Sequence, residues 1–196
     1  NPSNSSITEG YPSIIDIPSF IDFMILNELS SNADGYEFST FFHKDRNDKL
    51  RAGPIWDFNL TFGNDLFEWG YDRSHTDVWQ FYDQGNMGPK FWKDLFDDPL
   101  FNCYLSKRWQ ELTAPGMPLN TTEIFGLIDS IQTLISEAVE RQEIVSGTSG
   151  VFIDNVIEMK EFISERINWI TNELIDTSLC NNVVTPELVI SKINYN

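Results

Sequence analysis

The sequence predicts an α+β fold that is mainly α, with one β-hairpin and a C-terminal helical bundle. Apolar residues recur at helical spacing in several long segments of the chain. One stretch combines two runs of β-forming residues with a turn-forming run between them. Hydrophobic residues make up 41% of the 196 residues, which is enough for one domain with a sizeable core.

The first helix is predicted over residues 17–30. Asp16 is a suitable N-cap, and Pro18 fits the first turn because it needs no hydrogen-bonded N–H there. The apolar positions of this segment are Ile17, Phe20, Ile21, Met24 and Ile25. Residues 1–15 are rich in Ser, Asn and Pro and are predicted to be a linker.

A β-hairpin is predicted next. Residues 38–43 and 50–56 are rich in β-formers, and residues 45–48 have the composition of a turn. Asp34 and Asp57 lie just outside the two open ends of this hairpin. Pairing of the strands is therefore expected to bring the two carboxylates side by side.

The second half of the chain is predicted to be helical. Residues 63–90 have no clear period, and a long ordered loop of this kind is often functional. Helices are then expected over 91–96, from Pro99 to beyond Trp109, from Asn120 onward and over 152–174. The helix that follows Asn120 has a clear apolar stripe at Ile124, Leu127, Ile128, Ile131, Leu134, Ile135 and Ala138.

Charge and cysteine content restrict the classes of partner. The formal net charge of −17 argues against nucleic acid or an anionic membrane, because both require a positive face. It also favours a self-repelling monomer or small oligomer. No apolar run reaches the roughly 18 residues of a membrane span. Cys103 and Cys180 form either one disulfide in an exported protein or two buried thiols.

Asp57 is the strongest candidate for a functional residue. It lies between Trp56 and Phe58, with glycines close on either side that permit tight turns or close approach of a ligand. A carboxylate held in this way is a natural ligand for a hard metal ion. Together with Asp34 it suggests a metal–phosphate site, although each Asp also fits a structural role in a turn.

Several motifs indicate a family. Glu28-Leu29 leads into Asn32-Ala33-Asp34-Gly35, and the later segments are Ser39-Thr40, Lys49-Leu50 and 53–58, which reads Gly-Pro-Ile-Trp-Asp-Phe. These segments closely resemble the spore-coat protein H (CotH) kinase family. The resemblance covers roughly residues 16–176 and includes Phe91-Trp92, Leu95, Trp109, Arg166, Trp169 and Leu174.

The resemblance implies an atypical protein-kinase-like fold that transfers phosphate from ATP to Ser or Thr of a protein substrate. In that picture Asp57 binds Mg²⁺, with Mn²⁺ or Ca²⁺ as alternatives, and parallels the metal-binding Asp of the kinase Asp-Phe-Gly motif. Asp34 matches the catalytic-loop Asp, which accepts the hydroxyl proton or binds metal. Asn32, Asn59 and Asn64 would make secondary polar contacts with the cofactor.

The sequence departs from the family pattern in two ways. Many relatives have Asp where this chain has Asn59, and the amide keeps a carbonyl oxygen but loses the charge. No strand-rich lobe with a phosphate-contacting Lys precedes residue 16, and no glycine-rich phosphate loop occurs. Residues 16–180 are therefore expected to be a C-terminal lobe that phosphorylates inefficiently by itself. The alternative is a non-catalytic secreted or cell-surface binding module on the same scaffold.

The last segment changes character. Residues 181–196 resemble a linker and the opening strand of the lamin-tail-like β-sandwich domains of exported bacterial proteins. This implies a second, truncated domain, and an exported or cell-surface location.

Overall fold

A computed structural model describes residues 5–64, 75–82, 88–178 and 180. The predicted class, α+β and mainly α with one antiparallel hairpin in the described part, is confirmed. The predicted strand within 181–196 lies outside the described residues. The elements are α1 Ile17–Ser30, β1 Phe42–His43, β2 Arg51–Ala52, α2 Phe91–Phe96, α3 Pro99–Thr113, α4 Thr121–Ser146 and α5 Val151–Glu173, with short 3-10 turns at Tyr11–Ser13 and Gln80–Tyr82.

Helix α1 is the centre of the fold. Its N-terminus is fixed by the predicted cap, because the Asp16 Oδ1 atom accepts a hydrogen bond from the Ser19 amide at 3.0 Å. Its C-terminus is closed by Ser31 in the left-handed conformation, with φ of 50°. The helix is apolar around most of its circumference and packs against β2, α3 and α5. A helix of this kind is expected to be internal.

An aromatic cluster joins α1 to α2 and to the loop after α1. The Trp92 ring is buried, and its centroid lies 5.3 Å from that of Phe23, 5.4 Å from that of Phe20 and 5.1 Å from that of Tyr36. Such pairs add to the free energy of burial when they are offset or edge-on. The cluster therefore fixes Tyr36, two residues after Asp34, in the loop that follows α1.

The segment predicted as a linker is packed from Gly10 onward. Tyr11 is buried, and its hydroxyl donates to the Asp98 carboxylate at 2.8 Å. The Leu50 amide donates to the Ile14 carbonyl at 2.8 Å, so this segment lies beside β2. The Ser, Asn and Pro content of residues 1–15 predicted a linker, because composition carries no information about long-range contacts.

The β-hairpin is shorter than predicted. The register pairs Phe42 with Ala52 and His43 with Arg51, and the Gly53 amide donates to the Phe41 carbonyl at 2.9 Å. The next residue, Pro54, has no N–H with which to continue the ladder. The chain therefore leaves the hairpin before it reaches Asp57.

Helices α4 and α5 form a helical hairpin. The Asn120 Oδ1 atom accepts from the Thr122 amide at 3.0 Å at the start of α4, and Gly147, with φ of 70°, ends that helix. The Trp109 indole donates to the Thr171 hydroxyl at 3.0 Å and joins α3 to α5. Helix α5 buries one face, whereas no residue of α4 is buried. Within the described residues, no helix is long and apolar enough to cross a membrane.

A buried ion pair links α1 to α5. An Arg166 guanidinium nitrogen lies 3.0 Å from the Glu28 Oε2 atom, and both side chains are at most 2% exposed. The Arg166 Nε atom also donates to the Glu28 carbonyl at 2.7 Å, at the last turn of α1. Because a buried charge is costly unless it is paired and hydrogen-bonded, the two residues depend on each other.

We expect Glu28→Gln to destabilise the protein by about 3–5 kcal/mol, because it leaves the Arg166 charge buried without a counter-charge. The measurement is the free energy of unfolding from urea denaturation. The control is Glu137→Gln, which breaks the ion pair between Glu137 and Arg141. The Glu137 side chain is 81% exposed, so this variant should lose less than about 1 kcal/mol of stability. Equal losses from the two variants would contradict this interpretation.

The two cysteines form a disulfide. Cys103 is buried on α3, and its bond to Cys180 closes a loop with a sequence separation of 77 residues. The cysteines therefore pair and are not the two free buried thiols that the sequence left open as an alternative. The bond holds the chain that follows α5 against α3.

Removing the disulfide should lower the free energy of unfolding by about 2–5 kcal/mol, mainly because the unfolded chain loses a long-range constraint. The measurement is Tm with and without dithiothreitol. The double variant Cys103→Ala, Cys180→Ala is the control, since its Tm should not respond to reductant. An unchanged Tm of the natural protein under reducing conditions would show that the bond contributes nothing.

Candidate functional site

A buried pair of amides holds the turn that carries Asp34. Asn32 is 0% exposed, and its Nδ2 atom donates to the Asn27 Oδ1 atom at 3.0 Å. Its own Oδ1 atom accepts from the Asp34 amide at 3.2 Å. The structure therefore places Asn32 inside the protein, where both ends of its side-chain amide have protein partners.

The turn continues through Asp34 and Gly35. The Asp34 carbonyl accepts from the amides of Phe38 at 3.1 Å and Ser39 at 3.0 Å, and the residue is half-buried. A Cβ atom on Gly35 would lie 2.6 Å from the Asn27 Oδ1 atom and 3.1 Å from the Asn32 carbonyl oxygen. The backbone approaches the amide pair so closely that only glycine fits there.

The segment that carries Asp57 is a compact, exposed turn. Asp57 is exposed and has φ of 61°, a region that few non-glycine residues adopt and that Asp tolerates better than most. The Thr61 hydroxyl donates to the Phe58 carbonyl at 2.7 Å, and the Asn64 Nδ2 atom donates to the Asn59 carbonyl at 2.7 Å. Asn59 and Asn64 are both exposed on the same turn as Asp57.

Direct backbone pairing brings the two Asp-bearing segments together. The Ala33 amide donates to the Leu60 carbonyl at 3.2 Å, and the Phe62 amide donates to the Ser30 carbonyl at 2.6 Å. The sequence suggested that the hairpin would align the segments. In the structure the residues next to Asp34 pair with the residues that follow Asp57, and the hairpin only connects them.

Left-handed backbone conformations are concentrated in these two segments. Of the five positive-φ non-glycine residues in the described chain, four lie here: Ser31, Tyr36, Asp57 and Phe62. Such conformations cost free energy and cluster at functional sites, where the surrounding structure enforces them. The α1 C-terminus also contributes partial negative charge beside Asp34. The site is therefore suited to a cation rather than to a free anion.

Comparison with known families supports the motif assignment. The family model described as CotH kinase protein matches residues 1–170. The chain belongs to the CotH kinase family. No curated protein and no solved structure matched it. The match includes the two segments described above, and membership makes this a kinase-like domain.

The ion pair described above lies directly beneath this CotH-family site. The Tyr36 hydroxyl donates to the Glu28 Oε1 atom at 2.8 Å, and the Gln80 amide donates to Oε2 at 2.8 Å. The Gln80 Nε2 atom donates to the Ser31 hydroxyl at 2.7 Å. Glu28 thus connects the end of α1, the Asp34 turn and the segment 75–82.

Burial raises the pKa of both Glu28 and Tyr36, and at Glu28 neighbouring groups oppose it. Removal from water raises the pKa of the Glu28 carboxyl, while the Arg166 charge and the donated hydrogen bonds act to lower it. Burial, together with the nearby Glu28 carboxylate, raises the pKa of Tyr36 well above its ordinary value, so its hydroxyl stays a donor. Sequence reasoning assigned no role to Glu28 or Arg166, although each charge occupies an apolar-face position of its helix.

A cleft of about 450 Å³ has the Phe162 side chain, a neighbour of Gly63, in its lining. It is bounded by α5 and by residues 75–77, and Phe162 on its wall is the side chain that a Cβ atom on Gly63 would touch at 2.9 Å. His75, which falls in the aperiodic region of the sequence, lines this cleft. His43 lies on the hairpin, with its Nδ1 atom 3.1 Å from the Gly53 carbonyl oxygen. The other lining residues are Thr76, Asp77, Glu158, Glu161 and Glu165.

We expect Gly35→Ala to destabilise the CotH-family domain by about 1–3 kcal/mol, because the added methyl group overlaps the Asn27–Asn32 amide pair. Thermal unfolding monitored by circular dichroism measures the change. Gly126→Ala is the matched control: Gly126 is in helix α4 with nothing within 4 Å of its Cβ position. That change should raise the stability of α4 by up to about 1 kcal/mol. A neutral Gly35→Ala variant would show that the turn is not tightly packed.

Proposed function

We propose that this CotH-family domain supplies the metal- and substrate-binding half of a Mg²⁺- and ATP-dependent protein kinase site. Asp57 is the metal ligand, and Asp34 orients the Ser or Thr hydroxyl of a protein substrate and accepts its proton. The backbone pairing of residues 30–33 with 60–62 is the observation that carries the proposal, because it holds two carboxylate-bearing turns against each other.

The donor set fits magnesium bound together with phosphate. Mg²⁺ is usually held by one or two carboxylates, with waters and substrate phosphates completing an octahedron. The described residues contain no group of three or more His, Cys, Asp or Glu side chains that could hold a metal ion by themselves. Ca²⁺ takes six to eight oxygen ligands, so two carboxylates suit Mg²⁺, or Mn²⁺, better than a protein-only Ca²⁺ site.

The two aspartates suit different tasks. Asp57 is exposed at the tip of its turn and is accessible to a metal ion and its phosphate ligands. Asp34 is half-buried, and its backbone is fixed by hydrogen bonds at its N–H and its carbonyl. A rigid carboxylate is suited to positioning a hydroxyl nucleophile, and positioning and charge neutralisation dominate phosphoryl transfer.

The three candidate asparagines also differ in exposure and therefore in the role proposed for them. Asn59 and Asn64 are exposed next to Asp57 and can offer polar contacts to a nucleotide. Asn32 acts from inside by fixing the Asp34 turn. Trp56, 61% exposed, has its ring centroid 6.5 Å from that of Phe41, and the pair provides an apolar surface for a planar base.

The domain is proposed to work as a monomer in an oxidising, exported or cell-surface setting. The Cys103–Cys180 disulfide supports this, since such bonds persist mainly outside the reducing cytosol. The charge of −17 supports a protein substrate rather than nucleic acid.

The second candidate function is a non-catalytic binding module. Asn59, in place of the Asp of many relatives, favours it because it reduces the negative charge available to a metal ion. The exposed aromatic surface around Trp56 also suits a protein ligand. In this case the scaffold is retained without phosphoryl transfer.

Asp57→Asn should weaken Mg·ATP binding at least tenfold. Asn adopts the left-handed region as readily as Asp, so the change removes the charge without adding backbone strain. Isothermal titration calorimetry of the full chain with Mg²⁺ alone, ATP alone and Mg·ATP measures the effect. Asp45→Asn, in the exposed hairpin turn, is the control and should bind as the natural protein does.

Phosphate transfer from labelled ATP to a generic Ser/Thr protein substrate separates the two candidates. The kinase proposal expects transfer that requires Mg²⁺ and falls at least a hundredfold in Asp34→Asn. Binding of Mg·ATP without transfer by the full-length protein would favour the binding module. Equal binding by the natural protein and Asp57→Asn would overturn the assignment of Asp57.

A further inference from the structure

Helix α4 has an exposed apolar stripe that the described part of the chain does not cover. Its members are all exposed, and Leu134 reaches 84% exposure in the middle of the helix. Helix α4 buries none of its residues, although its sequence has the apolar pattern of a packed helix. The stripe consists of Leu127, Ile131, Leu134, Ala138 and Val145.

The spacing of this stripe is that of a helix–helix seam. The first four members are four, three and four residues apart, and Arg141 occupies the next position before Val145. At 3.6 residues per turn all five fall within an arc of about 60°. Alternating steps of three and four are typical of helices that pack lengthwise against another helix. The half-buried Ile124, Ile128 and Ile135 belong to the adjacent face.

The net charge of the α4–α5 hairpin favours one class of occupant. Residues 121–174 contain ten acidic and three basic side chains. Each basic side chain is engaged within the protein: Arg141 with Glu137, Lys160 with Asp129, and Arg166 with Glu28. The surface of the hairpin is therefore apolar and acidic. A second copy would bring like charges together, whereas a basic helix would meet complementary charge.

We infer that the stripe on α4 is a docking surface for an amphipathic α-helix whose apolar face is flanked by Lys and Arg. The partner helix lies along α4 and buries the five stripe residues in a seam of the coiled-coil type. Its basic residues face the acidic side chains of the hairpin. This surface is formed by α4 alone and does not depend on phosphoryl transfer at the Asp34–Asp57 site.

The test uses two synthetic three-heptad peptides with Leu and Ile at the seam positions. One has Lys at the flanking positions and the other has Glu. Fluorescence anisotropy of the labelled peptides with the full chain measures binding. We expect the Lys peptide to bind at micromolar concentrations and the Glu peptide to bind at least tenfold more weakly.

Two variants separate seam docking from general attraction to an acidic protein. The double variant Ile131→Ser, Leu134→Ser should weaken binding of the Lys peptide at least tenfold. Its circular dichroism spectrum should not change, because both side chains are exposed. The control variant Ile14→Ser, which changes an exposed apolar residue beside the β-hairpin, should bind the Lys peptide as the natural protein does. Equal binding to both peptides, binding that survives the seam variant, or no binding would overturn the inference. A concentration-dependent dimer that the seam variant abolishes would show that a second copy is the occupant.

Discussion

The buried ion pair of Glu28 and Arg166 is the interaction on which the rest of the structure depends. It joins the last turn of α1 to α5 across 138 positions of sequence. Its carboxylate also accepts from Tyr36, Gln80 and Phe81. Because a charge without its partner is strongly unfavourable in the interior, all these segments must be in place together. The charged pair therefore sets the alignment of α1 with α5 more precisely than apolar packing alone would.

The candidate site depends on that register. The turn that carries Asp34 starts one turn after Glu28, and the Asn27–Asn32 amide pair fixes its shape. The Asp57 segment is then held to it by backbone hydrogen bonds from Ala33 and Phe62. The site is thus formed by loops at the end of a rigid, buried helix. This arrangement gives functional loops a defined position without surrounding them with secondary structure.

The domain presents two surfaces of different character. The Asp34–Asp57 region joins the exposed carboxylate of Asp57 and the half-buried carboxylate of Asp34 to exposed aromatic residues such as Trp56. Helix α4, later in the chain, carries an apolar stripe, and the cations Arg141 of α4 and Lys160 of α5 are already paired. The proposed kinase function requires both a reaction site and a surface that recognises a protein partner. Because different elements form the two surfaces, substitutions on α4 would leave the residues of the proposed reaction site unchanged.

Local signals in the sequence determined the helices and the existence of the hairpin, and they singled out Asp34 and Asp57 as candidate site residues. Asp16 and Pro18 fixed the start of α1, and the CotH motifs identified the family, because caps, periodicity and short motifs act within a few residues. Only the tertiary structure decided that residues 10–15 pack beside β2, that Glu28 meets Arg166, and that Asn32 lies inside. It also decided that four of the seven apolar positions predicted on α4, Leu127, Ile131, Leu134 and Ala138, stay exposed. These outcomes depend on contacts between residues far apart in the chain, and a periodic pattern shows which face is apolar but not what covers it.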